Sequence, residues 1–181
     1  CAILKVFGSE VSQYVSDEGI QIFGGMGFSK DTPMESAWRD ARITRIYEGT
    51  NEINRLLTVG MLLKKAMKGE IDLMTPAMEV GNSLMGIPSF DTPDFSEILS
   101  EEKAMIAKLK NAFLMISGKA VQTYGMDLEN HQQLVLAAAE VMIEVYMAES
   151  AILKAEKLAK KTSIKETAYQ IAMAQLNLFN A

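Results

Sequence analysis

The stretch Arg45-Ile46-Tyr47-Glu48-Gly49-Thr50-Asn51-Glu52-Ile53-Asn54-Arg55 decides how this chain is read. Helical patterning runs up to it and resumes beyond it. Glu48 and Gly49 form the break, because glycine is costly inside a helix and readily takes conformations that stop one. Thr50 is suited to cap the helix that follows, and Glu52 in its first turn is favoured by the positive end of the helix dipole. A carboxylate, Glu48, is thus set in a short break, beside a glycine and just ahead of a helix start. Such a group can act as a catalytic base. It can equally be an ordinary solvated loop residue.

Downstream, Ile53, Leu56, Leu57, Val59, Met61, Leu62 and Leu63 carry a helix to Lys68-Gly69. Upstream, Thr32-Pro33-Met34-Glu35 predicts a helix start, with Thr32 capping, Pro33 at the first helical position and Glu35 completing a capping box. That helix passes through Trp38-Arg39-Asp40-Ala41-Arg42 to about Ile46. Before it, residues 2 to about 23 place Ile3, Val6, Phe7, Val11, Tyr14, Val15 and Ile20 at helical spacing. Lys5, Ser9, Glu10, Gln13 and Asp17 mark the polar face of the same helix. Gly24-Gly25-Met26-Gly27-Phe28 ends it. The glycines serve as a helix cap and turn, or they bare backbone against which a phosphate or dinucleotide can lie. The pattern is not G-x-G-x-x-G after a strand, so it is no Rossmann signature.

Beyond the second helical block the chain changes character. Residues 70–99 hold Pro76, Pro88 and Pro93, a short helix from Thr75-Pro76 to about Met85, and a connector over Gly86–Asp94. From Ser100 onward breakers almost vanish. Ser100 is placed to cap a helix whose buried stripe is Met105, Ile106, Leu109, Ala112, Phe113, Ile116 and Ala120, ending at Gly125. Asp127 is placed to cap a long helix with a heptad-like seam of Leu134, Ala138, Val141, Val145, Ala148, Ile152, Ala155 and Ala159. His131 reads as a surface residue without a role. Lys154, Lys157, Lys160, Lys161 and Lys165 cluster at the end of that helix, as a solvated C-terminal face or as a contact for an anionic surface. A last helix from about Ile164 to Phe179 puts Ile171, Ala172, Leu176 and Phe179 on one side. The fold class is therefore all-α: a helical bundle over 1–69, a linker with a short helix over 70–99 and an additional helical domain over 100–181.

Composition closes several doors. The 181 residues are 49% apolar and carry a net charge of −5, so no basic surplus awaits nucleic acid. Cys1 and His131 are single, which excludes a disulfide within the chain and a cysteine-rich or histidine-based metal cluster. The longest apolar runs fall short of the ~20 residues that span a membrane. The chain opens on Cys1 inside a helical pattern, which predicts a fragment of a longer protein.

Three linked motifs now carry a resemblance. Ile20-Gln21-Ile22-Phe23-Gly24-Gly25-Met26-Gly27-Phe28, Trp38-Arg39-Asp40-Ala41-Arg42 and Arg45 to Ile53 stand in the order and spacing of the flavin-dependent acyl-CoA dehydrogenases. The chain resembles the C-terminal part of that family, most closely the very-long-chain branch, firmly over about residues 2–65 and more weakly over 100–181. The resemblance implies oxidation of an acyl-CoA to the trans-2-enoyl-CoA. It implies Glu48 as the base for the α-proton, with the β-hydrogen passing as hydride to FAD. It implies that the flavin ribityl hydroxyl and the base's own backbone N–H polarise the thioester carbonyl. Tyr47 and Gly49 would line the substrate site, and Thr50 and Glu52 would lie near the adenosine part of FAD. Gln21, Gly24 and Gly25 would reach the FAD of a neighbouring subunit in a homodimer. Arg39 and Asp40 read as a structural pair. An electron-transferring flavoprotein is the implied acceptor, and the implied compartment is bacterial cytoplasm, or the mitochondrial matrix in a eukaryote. The expected fragment is inactive alone and holds FAD weakly or not at all. The rival reading is a non-catalytic helical module for dimerisation or peripheral membrane docking.

Overall fold

The computed structural model describes residues 1–85 and 97–181, and these are helical, with no strand among them. The connector read over Gly86–Asp94 lies outside the described residues. The chain divides into two compact units, Cys1–Leu63 and Lys64–Ala181.

The first unit holds α1 (Ala2–Phe23), a 3₁₀ turn (Gly24–Phe28), α2 (Pro33–Thr44) and most of α3 (Asn51–Met67). α2 folds back along α1, and the indole Nε1 of Trp38 donates to Asp17 Oδ1 at 3.0 Å across the pair. Gly27 makes the reversal possible. It is buried, and a Cβ there would stand 2.6 Å from the Ile20 carbonyl and 2.9 Å from Phe23 Cβ.

Three expectations fail in this unit, each for a physical reason. Thr32 stands at the start of α2, but its hydroxyl donates to the Met26 carbonyl at 2.7 Å rather than capping, so it ties α2 to the glycine turn. Arg39 pairs with Glu35 one turn back, not with Asp40, because i,i+4 neighbours share a helix face and i,i+1 neighbours do not. The apolar face of α1 is buried only in part, at Val6 and partly at Ile3, Phe7 and Ile20. Val6, Ser9 and Ser16 are buried, while Val11, Tyr14, Val15 and Ile22 are exposed, Ile22 at 81%. Lys5, Ser9 and Glu10, read as part of the polar side, turn into the unit because they hydrogen-bond across to α3.

The second unit holds α4 (Met74–Met85), α5 (Ser100–Tyr124), a second 3₁₀ turn (Gly125–Asn130), α6 (Gln132–Lys161) and α7 (Ala168–Asn180). Lys103 Nζ meets Glu156 Oε1 at 2.9 Å and Lys110 Nζ meets Glu149 Oε1 at 2.6 Å, a register that fixes α5 and α6 as antiparallel. Leu99, Ile106, Val145, Ala148, Ile152, Ala155, Ala174 and Leu178 form the core. Ala148 and Ala155 let the helices approach closely around the fully buried Ile152.

The seam of α6 is only half as read. From Val145 to Ala159 the expected residues are buried, but the first half turns Val135, Ala139 and Ile143 inward and leaves Leu134 and Val141 exposed. A straight helix drifts against a seven-residue repeat, so one stripe cannot face one partner over 30 residues. The stripe of α5 is narrower than read, with Ile106 buried, Leu109 and Phe113 half-buried, and Met105 and Ile116 exposed. α7 starts at Ala168 rather than Ile164 and buries Ala174 and Leu178, while Leu176 and Phe179 face outward. Ser100 is already helical and donates to the Glu97 carbonyl at 2.8 Å, and Leu99 precedes it at φ +58. Asp127 accepts from Asn130 Nδ2 within the 3₁₀ turn instead of capping α6. His131 is not a bystander: it bonds Asp127 at 3.2 Å and its ring lies 4.0 Å from that of Tyr124.

Candidate active site

The break between α2 and α3 is a loop strained at one residue. Glu48 takes φ +56 and Gly49 φ +80. Glycine adopts this left-handed region without penalty, but glutamate does not. Residues held there by their surroundings cluster at functional sites.

The surroundings are a polar network. Asn54 Nδ2 donates to the carbonyls of Gly49 at 2.7 Å, Thr50 at 3.1 Å and Glu48 at 3.4 Å. Lys5 Nζ, from the first turns of α1, donates to the Gly49 carbonyl and to Asn51 Oδ1, each at 2.8 Å. Asn51 is completely buried and fully used: its Nδ2 donates to Ser9 Oγ at 2.9 Å and to Glu10 Oε1 at 3.1 Å. Glu10 takes Arg55 as a two-pronged partner at 2.9 and 3.0 Å. Burial raises the Glu10 pKa, but the hydrogen bonds from Arg55 and Asn51 and the charges of Arg55 and Arg45 outweigh it, so the carboxyl sits below its ordinary value. The loop is clamped from behind by α1 and α3.

In front of the clamp the groups are free. The Glu48 side chain is exposed and makes no hydrogen bond among the described residues. Nor does the Glu48 backbone N–H donate one among them. A carboxylate beside a bare N–H is a base next to a hydrogen-bond donor, the pair needed to remove a proton α to a carbonyl. Tyr47 is half-exposed alongside. Thr50 does cap α3, accepting from the Ile53 N–H at 3.3 Å. Glu52 is held below the usual carboxylate range by its own backbone N–H and then by the Thr50 hydroxyl.

Gln21, Gly24 and Gly25 lie elsewhere. The sixteen residues from Lys5 to Gln21 along α1 correspond to about 24 Å of helix. One chain therefore does not bring the glycine turn and the Glu48 loop to one point. Gly24 takes φ +60, and a Cβ on Gly24 or Gly25 would meet nothing within 4 Å. Gly25 has neither a positive φ nor a crowding neighbour in this chain to require glycine, and its open backbone suits the close approach of a flat or anionic group.

Sequence reasoning missed Lys5, Asn51 and Asn54. Lys5 reads only as part of the polar face of α1, and the asparagines carry no separate signal. The usable clue was the concentration of short polar residues, Asn51 and Asn54, directly behind a glycine break.

The architecture is an all-α helical region with a strained glutamate loop between two of its helices. Family models described as acyl-CoA dehydrogenase, C-terminal domain, match residues 1–62 and 108–181. A probable acyl-CoA dehydrogenase of Bacillus subtilis is 39% identical over 176 residues, which is 97% of this chain and 29% of that protein. The very long-chain specific enzyme of Rattus norvegicus mitochondria is 47% identical over 83 residues, 46% of this chain and 12% of that protein. The short-chain specific mitochondrial enzyme of Bos taurus is 51% identical over 63 residues, 35% of this chain and 15% of that protein. A solved acyl-CoA dehydrogenase from Bacillus anthracis, complexed with FAD, superposes with a TM-score of 0.91 at 38% identity, over 99% of this chain and 30% of that one. The chain belongs to the acyl-CoA dehydrogenase family and corresponds to the C-terminal part of its members. It spans less than a third of the length of these relatives.

Proposed function

We propose that this chain is the C-terminal part of a flavin-dependent acyl-CoA dehydrogenase, in which Glu48 removes the α-proton of an acyl-CoA as it is oxidised to the trans-2-enoyl-CoA. One observation carries the reading: Glu48 is held at φ +56 with its carboxylate unengaged while Asn54 and Lys5 secure the carbonyls behind it. An α-carbon is a weak acid, so its carbonyl must be polarised as the proton leaves. The Glu48 N–H is available for that, and the adjacent carboxylate takes the proton. Gly49 keeps the loop thin where a thioester must approach, and Tyr47 lines the same side. Bound FAD supplies the two-electron acceptor.

Gln21, Gly24 and Gly25 offer open backbone to FAD, and Thr50 and Glu52 offer a helix start. Their separation along α1 supports assignment of the two sets to different FAD molecules, as in a homodimer that completes each site from both copies. Reoxidation by an electron-transferring flavoprotein belongs to the same reading.

The test is Glu48→Gln in the full-length protein. Shape and FAD content are retained, and flavin bleaching by acyl-CoA slows by about 10²- to 10⁴-fold. Bleaching at the normal rate would remove Glu48 from the chemistry.

A peripheral docking role for the second unit has separate support. α7 turns Tyr169, Met173, Leu176 and Phe179 outward, and Lys154, Lys157, Lys161 and Lys165 are exposed. No helix among the described residues is long and apolar enough to cross a membrane, so any contact would be at the surface. Vesicle flotation that is unchanged after neutralising these lysines would dismiss the lysines from that role.

A further inference from the structure

We infer that Lys5 is a positioning residue for the proton transfer, acting through the Gly49 carbonyl on the backbone of Glu48. The inference rests on the reading of Glu48 as the base. Lys5 lies 43 positions before that residue, on α1, and its hydrogen bonds to the loop come from its ammonium group. That group donates to Gly49 O and Asn51 Oδ1, both at 2.8 Å. Gly49 O accepts a second bond as well, from Asn54 Nδ2 at 2.7 Å.

The consequence follows from peptide planarity. In a trans peptide the C=O and N–H point in opposite directions. With the Glu48 and Gly49 carbonyls drawn back toward Asn54 and Lys5, the Gly49 and Thr50 N–H groups are turned away from the clamp. The same pull fixes the ψ of Gly49 and opposes relaxation of Glu48 out of its left-handed conformation. Asn54 anchors the loop to α3, and Lys5 anchors it to α1. With only the α3 anchor, Glu48 can relax into an ordinary conformation, which carries its carboxylate off line. Misplacement of a reacting group by about 1 Å costs on the order of 10²-fold in rate. Asn51 holds the ammonium in place, and Ser9 and Glu10 hold Asn51. Ser9 and Glu10 turn toward α3 because they carry this anchor.

The experiment compares Lys5→Met with Glu48→Gln in the full-length, FAD-loaded protein. The expected result for Lys5→Met is a kcat lower by about 10- to 100-fold, with KM, FAD content and thermal midpoint close to those of the parent. Flavin reduction in a single turnover slows by the same factor. If Lys5→Met reduces flavin at the parental rate while Glu48→Gln does not, the positioning role is overturned and the base assignment stands. If Glu48→Gln also reduces flavin normally, the base assignment falls with it. Should Lys5→Met fail to fold, Asn54→Ala decides, because it removes the other donor to Gly49 O. A lowered kcat at unchanged KM supports the clamp, and an unchanged kcat overturns it.

Discussion

Gly27 and Glu48 show how differently one backbone residue can matter. Gly27 is required by packing: its missing Cβ leaves room for the Ile20 carbonyl and the Phe23 side chain. These neighbours are mostly backbone and cannot swing aside. Gly27→Ala is therefore expected to destabilise the first unit by roughly 1–3 kcal/mol, seen as a lower midpoint in denaturant unfolding. A midpoint equal to that of the parent would show that the turn relaxes more easily than its contacts indicate. Glu48, by contrast, occupies strained backbone and makes no side-chain hydrogen bond among the described residues in return. Its conformation is sustained by Asn54 and Lys5. The sequence makes Glu48 visible because Gly49 follows it and Thr50 caps the next helix. It does not reveal the left-handed φ, which depends on side chains from two other parts of the chain.

At the scale of elements, α1 and α7 both turn out differently from their patterns, and for related reasons. Each has apolar residues on more than one side. Periodicity identifies a stripe but cannot say which stripe meets a partner. In α7 the buried pair is Ala174 and Leu178, while Leu176 and Phe179, at 83% exposure, point outward. In α6 the buried Ile152 lies where alanines thin the neighbouring positions. Ile152→Ala should cost about 2–5 kcal/mol, because the close-packed helices cannot collapse into the space left behind. Leu176→Ala should cost well under 1 kcal/mol, as a surface change away from the core. Urea melts of both variants check the contrast, and equal losses would mean that Leu176 is packed. Leu99 belongs here too: it carries φ +58 yet is buried in the core, so burial of its side chain offsets the backbone strain at the entry to α5.

At the scale of the molecule, the chain is a C-terminal portion whose relatives are more than three times as long. The Glu48 loop and the Gly24-Gly25 turn are separated along α1, and each presents an open surface. We therefore expect the 181-residue chain alone to show no acyl-CoA dehydrogenation in a dye-reduction assay and to retain no FAD through gel filtration. Turnover by the isolated chain would show that a working site and a flavin site both assemble within these residues.

Much of this was legible in the residues. The helix order, the two glycine turns, the Thr50 cap and the position of Glu48 follow from local preferences, which act over a few residues and are written in the chain. The family follows from three motifs in fixed order. What only the tertiary structure decided is which face each helix buries and what holds Glu48. Lys5, Ser9 and Glu10 look like a solvated helix face until α3 brings Asn51 and Arg55 against them. The physical reason is that a polar side chain has two good environments, water and a complete set of hydrogen-bond partners. Local sequence cannot distinguish them, because the partners lie more than 40 positions away.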